Sequence, residues 1–104
     1  MPRYGFMMRL RDDGVVDEYE RLHRAVDAEV LAAHARSGIR NYSIFRSGLD
    51  LFGYFEADDP HAAIERLSRE PVMESWWAKT NPLMAVDERN RPRITPLPEL
   101  FYRE

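Results

Sequence analysis

The chain has 104 residues, a length that allows one domain, 1–104, and leaves little room for a second. Apolar residues at 44%, with two Trp, five Tyr and five Phe, exclude intrinsic disorder, and 15 basic against 18 acidic residues (net charge −3) argue against a broad nucleic-acid-binding face. The lack of cysteine excludes disulfides, thiol catalysis and thiolate metal sites, and the apolar runs fall far short of the roughly 20 residues of a membrane span.

In chain order, Tyr4, Phe6, Met8 and Leu10 alternate with Arg3, Gly5, Met7 and Arg9, the period of a strand, which is expected over 3–11. No apolar run with a secretory cleavage site opens the chain, so a cytoplasmic protein is expected. Asp12 and Asp13 then offer caps for one helix whose apolar positions Val15, Tyr19, Leu22, Val26, Val30 and Ala33 recur every three or four residues until Gly38 ends it. Ile39 to Phe45 and Leu51 to Ala57 read as two strands, joined by a hairpin loop at 47–50. Asp59-Pro60 and Glu70-Pro71 each signal a helix start, so the second helical region is expected in two pieces, the latter ending before Asn81-Pro82. A polar surface loop follows at 87–92, then an extended segment at 94–102 that Pro96 and Pro98 confine to an edge or to interrupted pairing.

The order βαββαβ predicts a ferredoxin-like α+β sandwich with one sheet face free of helices. In the third strand Phe52 and Tyr54 point one way and Leu51 and Phe55 the other, so the free face also carries large apolar groups. A homodimer that packs two such faces together, as in a dimeric α/β barrel, is the simplest cover.

Chemistry must come from side chains that meet in a pocket. Of the three histidines, His34 and His61 lie in charged surroundings and read as surface residues. His23 lies four residues after Tyr19 and four before Asp27, so a ring, an imidazole and a carboxylate are expected along one helical face. That spacing permits a site, and it is also that of a half-buried histidine bonded to Asp27. No paired-histidine helix motif is present, and no metal site is expected. Trp76 and Trp77 are adjacent and cannot both point inward from a helix, so one should line a cavity or an interface.

Taken together, the opening strand, Glu18-Tyr19 followed by His23, the strand Asn41-Tyr42-Ser43-Ile44-Phe45, Leu51-Phe52 through Glu56, Trp76-Trp77 and the closing Glu99-Leu100-Phe101-Tyr102 resemble the L-rhamnose mutarotase family over the whole chain. The resemblance implies a cofactor-free isomerase that interconverts the α and β pyranose anomers of a 6-deoxyhexose, built as a dimer of ferredoxin-like subunits. By position, His23 matches the family's proton donor, and Tyr19, Tyr42, Trp76 and Trp77 match its sugar-binding residues. The residue types suit that chemistry: an imidazole can give or take a proton near neutral pH, and an aromatic wall packs on the C–H face of a sugar.

The chain departs from the family at one point. Where the family usually continues with tryptophan, proline and glutamate, this chain has Asp27, Ala28 and Glu29. A carboxylate in place of a large ring implies a more open and polar pocket, with L-rhamnose as the first expected sugar and L-fucose or another aldose as its rival. Two further readings stand beside these: another cofactor-free enzyme on the same barrel, such as a monooxygenase, and a sugar-binding module without turnover.

Overall fold

The computed structural model describes residues 2–89 and 91–104. Asn90, within the expected polar loop, lies outside the described residues. β1 (Arg3–Arg9) leads through a 3-10 turn at Asp13–Val15 into α1 (Val16–Arg24) and α2 (Ala28–Arg36), and β2 (Arg40–Ser47) and β3 (Asp50–Glu56) form a hairpin. α3 (Pro60–Ser68) and α4 (Pro71–Thr80) follow, then a 3-10 turn at Asn81–Leu83 and the short β4 (Thr95–Leu97). The sheet order is β2-β3-β1-β4 with every neighbouring pair antiparallel, as the βαββαβ pattern requires. The ferredoxin-like expectation is therefore met.

Capping explains most of the boundaries. Asp12 and Asp59 accept from the backbone N–H groups of Gly14 and Ala62, and Pro60 and Pro71 occupy first-turn positions where their missing N–H costs nothing. Gly38, at φ 85°, ends α2 in the left-handed conformation that glycine takes freely.

The first helical region differs from expectation, because two helices stand where one was predicted. Ala25 leaves helical geometry (φ −143°, ψ 64°), and Asp27, at ψ 135°, caps α2 by accepting from the N–H of Glu29. Apolar periodicity alone did not expose this break, since Val26 continues the spacing across it. The last strand is also shorter than expected, with Thr95–Leu97 alone pairing to β1.

Tyr4, Phe6 and Met8 of β1, Leu10 just after it, and Leu51, Gly53 and Phe55 of β3 face the helices, and Val30, Ala33, Ala63, Leu67 and Met73 close over them. A Cβ at Gly53 would collide with the Phe6 ring, so glycine there lets that ring lie flat across the sheet. The opposite face has no helix. Phe45, Phe52 and Leu97 are exposed there, beside Met7 and Tyr54. A C-terminal arm borders it: Arg3 pairs with Glu99 at 2.6 Å and lies 3.4 Å above the Tyr102 ring, while Leu100 and Phe101 are 93% and 82% exposed.

Candidate active site

α1 presents Tyr19 and His23 one turn apart on its inner side. His23 Nδ1 lies 2.8 Å from the Tyr19 carbonyl oxygen, which can only accept, so Nδ1 carries a hydrogen and donates it. That bond fixes the ring and leaves Nε2 as the working nitrogen, an acceptor in the neutral ring and a donor in the imidazolium. The imidazole is held between two aromatic rings. Tyr19 lies 4.2 Å away at 30° and Trp76, from α4, 5.2 Å away at 75°.

β2 supplies Tyr42. Its ring stacks on Phe55 at 5.7 Å and 11°, and Phe6 and His34 meet it edge-on at 6.2 and 5.4 Å. The residue as a whole is 38% exposed, but its phenolic end is the enclosed part. Burial pushes the Tyr19 hydroxyl up to about 12. The Tyr42 hydroxyl is raised further, first by burial and then by the neighbouring charge of Tyr19. Both phenols therefore keep their protons at neutral pH and can each donate and accept without ionising.

The structure separates the other expected residues. An open cleft of ≈ 480 Å³ runs past Tyr19 and His23, with Ile44 and Leu51 on its sheet side and Arg46 at its rim. Trp77 turns away from His23 into a second cleft of ≈ 640 Å³ with Asn81, Asp87 and Arg91. The second cleft is the larger, yet the proton-transfer chemistry lies with His23 in the first. Asp27 is exposed at the start of α2, its Oδ1 3.1 Å from the Glu29 nitrogen, and the helix break keeps it off the continuous face it was expected to share with His23.

Two residues near the site were not singled out by sequence. His34, expected on the surface, is half-buried against Tyr42, with Nδ1 2.8 Å from the Val30 carbonyl oxygen. Its place one turn after buried Val30 was the available signal. Arg46 bonds Glu20 of α1 at 3.2 Å and the Gly48 carbonyl at 2.8 Å, closing the cleft rim. Strand parity with Tyr42 and Ile44 points it inward. His61 is exposed, with its ring 5.8 Å from Tyr4.

Fold and site first define a structural class, an α+β ferredoxin-like domain with a histidine and phenols between its sheet and its helices. At the level of fold alone, the chain superposes on a dimeric ferredoxin-like protein from an uncultured marine organism with a TM-score of 0.60, 11% identity and 97% of both chains covered. The chain belongs to the L-rhamnose mutarotase family, which it matches over residues 3–103. It is 32% identical over 106 residues to the L-rhamnose mutarotase of Oceanobacillus iheyensis, with 100% of both chains covered. It matches the crystal structure of an L-rhamnose mutarotase from Formosa agariphila with a TM-score of 0.83 and 26% identity, again over 100% of both chains. Family membership makes the chain an isomerase of sugar anomers.

Proposed function

We propose that this chain interconverts the α and β pyranose anomers of L-rhamnose and that His23 is its proton carrier. The observation that carries the reading is the fixed imidazole, tied through Nδ1 to the Tyr19 carbonyl and flanked by the rings of Tyr19 and Trp76, with Nε2 left to work. In the ring-opening step the imidazolium gives its Nε2 proton to the ring oxygen as the C1–O5 bond breaks, and the anomeric hydroxyl passes its own proton through a neutral phenol to solvent water. The C1 carbonyl forms, C1–C2 rotates, and reclosure on the other face returns the O5 proton to Nε2 while a proton from water reaches the new anomeric oxygen along the same phenol. Only protons move, so no redox partner or cofactor is needed.

The remaining roles follow from position. Trp76 offers the apolar wall, and the neutral phenols of Tyr19 and Tyr42 hold sugar hydroxyls, one of them relaying the anomeric proton. Trp77 faces the neighbouring cleft, so the wall beside His23 falls to Trp76, and Asp27, anchored on the loop that follows α1, offers a hydroxyl acceptor where the family has a ring. With a polar acceptor in place of an apolar ring, L-fucose, whose hydroxyl pattern differs from that of L-rhamnose, is the second candidate sugar. The working unit is a homodimer closed over the helix-free sheet face, acting in the cytoplasm. No helix among the described residues is long and apolar enough to cross a membrane.

The test is saturation-transfer NMR on a panel of aldoses that includes L-rhamnose and L-fucose. Faster anomer exchange of L-rhamnose than of the others supports the reading. Preference for L-fucose replaces the substrate, and sugar binding without faster exchange replaces the enzyme by a binding module.

A further inference from the structure

Tyr42, proposed above to hold a sugar hydroxyl, lies on an irregular stretch of β2. Arg40 pairs with Glu56 and Ser43 with Tyr54, so two residues of β2, Asn41 and Tyr42, span the interval opposite the single residue Phe55. The extra residue is Asn41, whose φ of 52° lies in the left-handed region. Asparagine tolerates that region far better than a β-branched residue does. A bulge of this kind bends its strand and re-aims the neighbouring side chain. Here the bulge places Asn41 on the free face beside Glu56, while Tyr42 keeps the helix-side parity of Ile44 and Arg46 and stacks on Phe55.

The bulge is held from the other face of the sheet. Asn41 Nδ2 donates to Glu56 Oε1 at 3.1 Å, and the Tyr54 hydroxyl donates to Glu56 Oε2 at 2.7 Å. Both carboxylate oxygens are thus engaged, one by the bulged residue and one by its β3 neighbour. The two bonds, Tyr54 first, hold the Glu56 carboxyl below its usual range, so it is charged at neutral pH and accepts strongly.

We propose that Asn41, clamped by Glu56, is a positioning residue that sets the Tyr42 phenol in the sugar pocket. The inference rests on the sugar contact assigned to Tyr42 above. It predicts that two properties of Asn41 act separately: its tolerance of positive φ, which Gly shares, and its amide bond to Glu56, which Gly lacks.

The experiment compares Asn41→Val, Asn41→Gly, Tyr42→Phe and the Asn41→Val/Tyr42→Phe double variant. It reads L-rhamnose anomer exchange against sugar concentration, and the Tyr42 ring-proton shift caused by Phe55. Asn41→Val should lose that ring shift and raise the half-saturating sugar concentration by about tenfold, the scale of one lost hydrogen bond. Asn41→Gly should keep the ring shift and lose about threefold, since only the clamp is gone. The double variant should be no worse than Tyr42→Phe alone, because coupled residues are not additive. An unchanged ring shift in Asn41→Val overturns the inference, as does a full additional loss in the double variant. Parent-like behaviour of Tyr42→Phe overturns the sugar contact itself, and the inference with it. If Asn41→Val does not fold, the ring shift and saturation of Asn41→Gly and of Glu56→Ala decide, with parent values in both overturning the clamp.

Discussion

At the scale of the residue, the site depends on groups that burial keeps neutral. Tyr19 titrates at about 12 in the fold against 10.0 ordinarily, because burial disfavours its phenolate, and Tyr42 is raised by the same cause. A folded pKa above the unfolded one gives a contribution that is complete below pH 10 and is lost as pH rises toward 12 and beyond. For Tyr19 the loss amounts to roughly 2–3 kcal/mol. Thermal denaturation should therefore show a lower Tm at about pH 11 than at about pH 8, and Tyr19→Phe should lose less over the same interval. Equal losses in parent and variant would contradict the burial of this hydroxyl. The pairing of Tyr19 with His23 was legible from their four-residue spacing on α1. The support of Tyr42 by His34 was not, since a ring contact between a helix and a strand leaves no periodic trace in either segment.

At the scale of the element, the break between α1 and α2 decides what Asp27 does. Its carboxylate satisfies the Glu29 N–H, one of the donors that a helix start leaves without a partner. Asp27→Ala should lower stability by about 1 kcal/mol in chemical denaturation and Asp27→Asn by much less, as expected of a cap. The proposed sugar contact has a separate signature: Asp27→Trp should shift the ratio of exchange rates toward L-rhamnose over L-fucose. A stability loss with an unchanged ratio would leave Asp27 a cap alone. Most elements were legible because each carries its own start or stop signal, such as Asp59-Pro60, Glu70-Pro71 and Gly38. The break at 25–27 was not, because Val26 keeps the apolar spacing and no Gly or Pro marks the turn. The bulge at Asn41 escaped for a related reason, since a single inserted residue shows only against the register of the partner strand.

At the scale of the whole molecule, the helix-free sheet face and the C-terminal arm call for a cover. Phe45, Phe52 and Leu97 lie exposed on one face, with Leu100 and Phe101 at its border. For the proposed homodimer, light scattering at micromolar concentration should give twice the monomer mass, and Phe52→Asp should return the monomer by placing a charge in the joint. A parent protein that remains monomeric would contradict the dimer without touching the chemistry at His23. The sheet order followed from the order of elements alone, whereas the division of Trp76 and Trp77 between two clefts needed the packing of α4. The central claim is proton transfer by His23, and its most direct test is the L-rhamnose anomer-exchange rate by saturation-transfer NMR in the parent and in His23→Asn, with exposed His61→Ala as control. His23→Asn should lower the rate by about two to four powers of ten with the fold intact, while the control stays near the parent. A folded His23→Asn variant with the parent's rate would contradict the account.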